Sequence, residues 1–229
     1  MPAEDAFRAA RAELRMHDAP DDIVIVAVDD RTLNALSVPM PSREQDAELV
    51  DQIFAAGAER LVFDRAYADP AGADEDEAFA RTLAKHRGRV WLGASPKADN
   101  GLQQHDGLLP TPMLRDKVNI ASMMGQTAPF GLAVRFPTET RIESMTIPSI
   151  SAVLAGYRGE NGWYRPDQSI DPHSIPTVSY IDVLDGSGSA SLQGKTVVVA
   201  PTHLESRDFH GLPFGGKIAG VYFHVMGAH

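Results

Sequence analysis

Aspartates that follow predicted strands are the residues of this sequence best suited to bind a ligand. Asp29 and Asp30 come directly after the apolar run 23–28, and Asp64 comes directly after the next apolar segment. Asp208 follows a third apolar run by a short loop. Because ligands of parallel α/β sheets bind outside the carboxyl ends of the strands, we expect these carboxylates to share one rim.

Carboxylate oxygens at such a rim are the ligands that hard cations prefer. We therefore predict a site for a cation or a cationic ligand, with the residues Asp29, Asp30, Arg43, Asp64, Asp208 and His224. The alternative is that each acid caps a helix or pairs with an arginine, since ion-pair networks also gather acids at strand ends. The arginines available for this are Arg31, Arg43, Arg65 and Arg207.

Arg43 has two interpretations of its own. It follows Ser42, the predicted N-cap of a helix, and the free backbone N–H groups of a first turn favour anions. A pocket for a carboxylate or phosphate is one possibility. The other is a salt bridge from Arg43 to Asp64 or Glu44.

Other chemistry finds little support in the residues. His203 and His210 flank Asp208, but their spacing fits no zinc pattern, and a solvated loop is the better interpretation. The chain has no cysteine, and it lacks the nucleophile elbow, the zinc-protease motif and the glycine-rich nucleotide loops. We therefore predict no catalytic residue, no metal ligand and no cofactor, and a domain that is not an enzyme.

The net charge and the hydropathy of the chain argue against nucleic acid as a partner and against a membrane-spanning segment. The formal net charge is −10 at pH 7, which repels phosphate backbones and argues against nucleic acid as a partner. No apolar stretch approaches the roughly 20 residues that cross a bilayer, and the charged first residues do not resemble a signal peptide. We expect a soluble chain whose export signal, if it has one, lies outside the printed sequence.

The elements that position these residues form an α/β pattern. The run 23–28 has no polar alternation, as is typical of a strand buried on both faces. A capping box of Ser42 and Gln45 then starts a helix, and Gly57 ends it, so that 23–64 forms a right-handed βαβ unit. We predict one α/β domain: a largely parallel central sheet with helices on both faces and long loop insertions. The predicted strands are 23–28, 61–63, 90–92 and 196–200.

Several segments, in order, resemble the CHASE2 family. The matching segments are Asp29-Asp30-Arg31-Thr32-Leu33, Pro39-Met40-Pro41-Ser42-Arg43, Ala56-Gly57-Ala58 with Val62-Phe63-Asp64, Val178-Ser179-Tyr180 with Asp182-Val183-Leu184, Gly194-Lys195-Thr196-Val197, and Asp208 and Pro213 with Gly220-Val221-Tyr222-Phe223-His224. Val38 and Met40 replace the tryptophans usual in the family. The resemblance spans roughly residues 18–228 and transfers no catalytic residue.

The resemblance implies an extracytoplasmic sensory domain of a bacterial inner-membrane receptor, in the periplasm or outside the cell. It would respond to an unidentified small-molecule or ionic stimulus and control a cytoplasmic output module in the same full-length chain, such as a histidine kinase or a nucleotide or diguanylate cyclase. We expect residues 1–17 to be a membrane-proximal connector helix and 18–229 to be the sensory domain. Terminal helices at 3–16 and 218–228 should lie near the same end of it.

Two other functions remain open at this point. A structural or dimerisation module, which would form a homodimer, would need no small-molecule ligand. A phospho-receiver domain also has an acidic pair after its first strand and a lone aspartate after a later one. Against the receiver, the chain is about twice the expected size.

Overall fold

The computed structural model describes residues 2–99, 104–105, 107–127, 133–206, 208–212 and 216–229. Its helices are α1 Pro2–Glu13, α2 Asp30–Leu36, α3 Arg43–Ala55, α4 Ala73–Lys85, α5 Pro112–Arg115, α6 Ile150–Leu154, α7 Tyr180–Leu184 and α8 Gly220–Met226. Its strands are β1 Ile23–Val28, β2 Arg60–Phe63, β3 Val90–Ala94, β4 Ala98–Asp99, β5 Gln104–His105, β6 Asn119–Ser122, β7 Gln126–Thr127, β8 Ala133–Pro137, β9 Glu139–Ile142, β10 Met145–Pro148, β11 Trp163–Tyr164, β12 Thr177–Ser179, β13 Thr196–Pro201, β14 Phe209–Gly211 and β15 Lys217–Ala219.

A six-stranded parallel sheet forms the centre of the molecule, in the order β12-β1-β13-β2-β3-β6. The α/β fold class is therefore confirmed, and the four predicted strands all lie in this sheet. Every residue of β1 is buried, as its unbroken apolar sequence predicts for a strand covered on both faces. Two short strands, β6 and β12, complete the edges.

Each face of the sheet has its own hydrophobic core, because successive side chains of a strand point to opposite faces. On one face, Val24 and Val26 pack with apolar residues of α3, α4 and α7. On the other face, Ile23 and Ile25 pack with residues of α6 and α8. The two layers of helices that the sequence predicted are both present.

The loop insertions carry small antiparallel sheets instead of helices. Strand β10 pairs with β9, β8 pairs with β7 and β11, and β14 pairs with β15. The last pairing corrects a prediction: residues 217–219 are a strand, and the closing helix begins only at Gly220. Pro148 ends β10, and Ser149 is the N-cap of α6.

Both ends of the chain approach the amino edge of the sheet. The ring Nε2 of His229 lies 3.7 Å from Asp22 Oδ1, and Asp22 directly precedes β1. Beyond α1, the backbone N–H of His17 donates to Ser169, beside which Ile170 forms a bridge to His17. The carboxyl edge of the sheet therefore faces away from the points where the chain enters and leaves it.

Candidate functional site at the carboxyl edge of the sheet

Two charged clusters lie at the carboxyl end of β2, one on each face of the central sheet. Asp64 faces α8, where its carboxylate lies near His224. The next residue, Arg65, faces α3, where its guanidinium contacts Asp46. This follows from the alternation of side chains at the end of a strand. We call the first group, Asp64, Asp208, His210 and His224, the acid–histidine cluster.

The acid–histidine cluster joins three distant parts of the sequence. His224 Nε2 lies 3.9 Å from Asp64 Oδ1, and both side chains are almost fully buried, 5% and 7% exposed. His210 Nε2 lies 3.0 Å from Asp208 Oδ1. The structure thus brings together three of the predicted site residues, Asp64, Asp208 and His224.

Burial and a neighbouring acid change the protonation of Asp64. Loss of water around its carboxyl group, followed by repulsion from Asp208, raises the pKa of Asp64 to about 8. At neutral pH the group is therefore mostly protonated, because ionisation would place a second negative charge in a buried site.

Asp208 shows the opposite behaviour. Burial alone would raise the pKa of Asp208, but the hydrogen bond and positive charge of His210, the charge of His224 and the backbone N–H of Gly220 lower it overall. Gly220 is required here because a Cβ atom at that position would lie 2.4 Å from Asp208 Oδ2. A side chain at 220 would displace the carboxylate.

His224 is a buried and incompletely paired base. Burial, only partly offset by Asp208, lowers the pKa of His224 to about 4, so that the imidazole is neutral at pH 7. Its Nδ1 atom has no hydrogen-bond partner among the described residues, and its ring packs against Phe136 with centroids 5.2 Å apart. A buried polar atom without a partner is costly, and such atoms in a native fold often have a functional reason.

The second cluster, which we call the arginine–tyrosine network, consists of Asp46, Arg65, Tyr67 and Tyr180. Asp46 Oδ2 accepts from Arg65 Nη1 and from the Tyr67 hydroxyl, both at 3.0 Å. Its Oδ1 accepts from the Tyr180 hydroxyl at 3.1 Å. Burial raises the pKa of Asp46 to about 6, and Arg65 and the tyrosine hydroxyls limit the increase.

Arg43 lies beside this network and not in the acid–histidine cluster. It is 5% exposed, and its guanidinium pairs with the buried Asp76 and donates to the Asp69 carbonyl. Asp76 thus replaces Asp64 and Glu44, the partners expected from the sequence, because α4 packs against α3 and brings its first turn to Arg43. Tyr67 packs beneath the guanidinium, 5.7 Å from ring centroid to Cζ.

Asp29 and Asp30 have separate positions as well. Asp29 is the N-cap of α2, a helix that the sequence did not predict, and its Oδ1 accepts from the Thr32 backbone and hydroxyl and from the Ser179 hydroxyl. These bonds do not include Asp64, so Asp29 has the capping role of the alternative interpretation. Asp30 is exposed in the first turn of the same helix.

The remaining candidates are accounted for by local contacts. His203 is buried, and its Nδ1 lies 3.0 Å from the Val28 carbonyl. Arg31 pairs with Asp182 on the surface, while Arg207 lies outside the described residues. Within those residues no group of three or more potential ligands is arranged to hold a metal ion.

Sequence reasoning missed Asp46, which organises the arginine–tyrosine network. Its position did carry a signal. Asp46 precedes Leu49, Val50 and Ile53 at helical spacing, on the face of α3 that is buried. A carboxylate on an apolar helix face must be hydrogen-bonded or paired, which would have directed the search to Arg65 and to the tyrosines.

Comparison with known proteins agrees with this architecture. The CHASE2 domain family model matches residues 3–227, whereas no curated protein and no solved structure matches the chain. Of the helices given above, none combines the length and the apolar character needed to span a bilayer. CHASE2 domains are extracytoplasmic sensory domains of receptors with cytoplasmic output domains. Since the match covers nearly the whole sequence, this chain belongs to the CHASE2 domain family.

Proposed function

We propose that this chain is the periplasmic signal-input domain of a bacterial inner-membrane receptor, and that a cation or cationic ligand acts on its acid–histidine cluster. The receptor would control a cytoplasmic module such as a histidine kinase or a nucleotide or diguanylate cyclase. The observation that carries the proposal is the convergence of Asp64, Asp208 and His224 in one site, where Asp64 and His224 are buried and Asp208 is partly exposed. This site has no arginine or lysine partner among the described residues.

Charge balance explains why such a site would respond to a ligand. Asp64 is buried beside the partly exposed Asp208, so both carboxyl groups can ionise only with a compensating positive charge nearby. Among the described residues, the imidazoles of His210 and His224 are the groups that lower the pKa of Asp208 by their charge, and His224 is neutral at pH 7 because burial lowers its pKa. A cation that binds between Asp64 and Asp208 would supply the missing charge and displace the proton of Asp64.

The position of His224 offers a route from the site to the chain end. His224 lies on α8, whose first residue Gly220 donates to the Asp208 carbonyl at 2.9 Å. At the other end of α8, the Met226 carbonyl accepts from Asp167, and His229 approaches Asp22. A ligand that favoured one position of α8 would therefore bias the segment that leaves the domain, provided that it binds the two positions with different affinity.

Thermal unfolding tests this proposal directly. The wild-type protein is titrated with calcium, magnesium, choline and agmatine chlorides at constant ionic strength. A cation that binds only the native state should raise Tm with concentration. Asp208→Asn should abolish that shift while leaving the ligand-free protein nearly as stable, since asparagine keeps the shape of the side chain.

Asp30→Asn is the matched control, because Asp30 is an exposed aspartate of the same predicted site and should retain the full shift. If Asp208→Asn binds the cation as tightly as the wild type does, the cation binds elsewhere and the cluster is not the site.

A structural or dimerisation module is the second candidate, and α1 favours it. Phe7 in the middle of α1 and Leu14 directly after it are 67% and 89% exposed, and exposed large apolar side chains at helical spacing can form a contact with another chain. Sedimentation of the wild type and of Leu14→Ser would distinguish the two functions. If the wild type is a dimer, Leu14→Ser is a monomer and no cation raises Tm, the result would support the dimerisation module and exclude the ligand site.

A further inference from the structure

The acid–histidine cluster contains hydrogen-bond acceptors that have no donor. Asp64 has a side chain that is only 7% exposed, yet its carboxyl group accepts no hydrogen bond from any described residue. His210 approaches only Oδ1 of Asp208, at 3.0 Å, and no described side chain donates to Oδ2. We infer that the ligand of this cluster is a small primary ammonium ion and not a metal ion, an inference that rests on the proposed function.

The two aspartates approach the same short segment of α8. The Asp208 carboxylate packs against Gly220 so closely that a Cβ atom there would collide with Oδ2. His224 follows Gly220 by four residues and therefore lies on the same face of the helix. Asp64 Oδ1 is 3.9 Å from Nε2 of that histidine. After burial, the charge of Asp208 is the second cause that raises the pKa of Asp64, so one small cation at this part of α8 is within reach of both carboxyl groups.

The donor set of the cluster is too small for a hard metal ion. Calcium takes roughly six to eight oxygen ligands, and magnesium requires a nearly ideal octahedron. Within the described part of the chain, no group of three or more histidines or acids is arranged to hold a metal ion. A primary ammonium ion needs only one acceptor for each of its N–H groups. The two oxygens of Asp64 and Oδ2 of Asp208 supply that number.

The charge of the site favours the same ligand. A single positive charge is what Asp64 needs in order to ionise beside Asp208, because the buried His224 does not supply one. Hydrogen bonds from an ammonium group to a carboxylate are roughly twice as strong as those between neutral groups. A quaternary ammonium ion carries the same charge but has no N–H group, so it cannot form these bonds.

The burial of the cluster limits the size of the ligand. Asp64 and His224 are almost fully enclosed, and the ring of Phe136 packs against His224 with centroids 5.2 Å apart. By contrast, 44% of the Asp208 side chain is exposed, so the cluster opens to solvent beside Asp208. The ammonium group therefore occupies the enclosed end between the two acids, and a short alkyl group points to the opening.

The test is a thermal shift titration of the whole chain at pH 7 and constant ionic strength. The ligands are the chlorides of methylammonium, dimethylammonium, trimethylammonium and tetramethylammonium, with calcium and magnesium chloride for comparison. Methylammonium at about 100 times its Kd should raise Tm by roughly 5 to 10 °C. Each N–H group that is replaced by a methyl group should weaken binding by roughly tenfold, because one charged hydrogen bond is lost.

Asp64→Asn should weaken methylammonium binding by roughly tenfold or more, because asparagine keeps the shape of the side chain but cannot carry the negative charge. Asp30→Asn is the matched control, since Asp30 is exposed in the first turn of α2, and this variant should bind as the wild type does. Unchanged methylammonium binding in Asp64→Asn would overturn the inference.

The metal arms separate the failure of this inference from that of the proposed function. A calcium or magnesium shift that Asp208→Asn abolishes, without a methylammonium shift, would overturn the inference and leave the proposed function standing. Equal shifts from methylammonium and tetramethylammonium would also overturn it, because recognition would then not depend on N–H groups. If no cation raised Tm, the inference and the proposed ligand site would both be wrong.

Discussion

The two charged clusters at the end of β2 have similar burial but different partners. In the arginine–tyrosine network, Asp46 is fully buried and receives hydrogen bonds from a guanidinium and two hydroxyls. In the acid–histidine cluster, Asp64 is equally buried, but its nearest described partner is a histidine at 3.9 Å. Burial raises the pKa of both acids, to about 6 for Asp46 and to about 8 for Asp64.

The difference shows what a permanent cation does for a buried acid. Arginine remains charged at every physiological pH, so it stabilises the ionised form of Asp46 and makes that network a structural element. Histidine loses its charge when it is buried, so it cannot do the same for Asp64. The acid–histidine cluster therefore titrates above neutral pH, at about 8 for Asp64, whereas Asp46 in the arginine–tyrosine network ionises at about pH 6.

The largest effect should come from removing the permanent cation next to that network. Arg43→Met leaves Asp76 buried without its partner, so we expect a loss of about 3–5 kcal/mol in the free energy of unfolding. Urea denaturation at pH 7 measures it. Arg81→Met, which breaks an exposed pair with Glu77, should cost less than about 0.5 kcal/mol. Equal losses in the two variants would show that the Arg43–Asp76 pair contributes no more than a surface pair.

Asp64→Asn should change how stability depends on pH. The folded pKa of Asp64 is about 8 and its ordinary value is 3.8, so the folded state binds the extra proton and the wild type loses stability as pH rises between these values. The loss is about 1.4 kcal/mol for each pH unit. Asparagine is always neutral and should remove it.

The window from pH 7 to 8 reports mainly on Asp64, because Asp46 has largely ionised there and His224 is neutral in the folded state and mostly neutral in the unfolded state. Urea denaturation at four pH values in that window, on the wild type and on Asp64→Asn, gives the slope. Asp185→Asn, at a surface carboxyl whose pKa is lowered mainly by Ser187, should keep the slope of the wild type. Parallel curves for wild type and Asp64→Asn would contradict the raised pKa.

The smallest effect should appear at acid pH, with His224→Phe. The folded pKa of His224 is about 4 and its ordinary value is 6.5, so the unfolded state binds the extra proton. The contribution of His224 to stability therefore falls as pH decreases from 6.5 towards 4, with a sign opposite to that of Asp64. Phenylalanine keeps the packing against Phe136 and cannot titrate. At pH 5.5 the variant should therefore have gained about 1 kcal/mol over the wild type, relative to their difference at pH 7.

His173→Phe is the control for that measurement, because His173 is exposed on a short helical turn. This variant should not change how stability depends on pH between 7 and 5.5. A stability difference between His224→Phe and the wild type that stays the same at pH 7 and at pH 5.5 would be inconsistent with a buried neutral imidazole.

The sequence by itself predicted the parallel sheet and the carboxyl-edge location. The apolar runs at β1 and β13 have no polar alternation. Strands of this kind are buried on both faces and are typical of parallel sheets covered by helices. The capping box at Ser42 is present as predicted, because cap chemistry is local. Where the apolar pattern of the sequence is weak, from 118 to 146, pairing between short strands decided the structure.

Partner choice within the site could not be predicted in the same way. Asp64, Asp208 and His224 meet as expected from strand order, since the ends of adjacent parallel strands share a rim. Whether Arg43 would join them depended on the packing of α4 against α3, which places Asp76 within reach of the guanidinium. No spacing in the sequence determines that contact.

The sequence of this protein therefore determined its four central strands, the capping box of α3 and the edge where its acids gather, because each depends on local periodicity or on chain order. Only the tertiary structure decided which acid receives an arginine and which receives a histidine. The physical reason is that adjacent residues at a strand end point to opposite faces of the sheet, so that Asp64 and Arg65 meet different helices. The protonation of the two buried acids, Asp46 and Asp64, follows from their partners, Arg65 for Asp46 and His224 for Asp64.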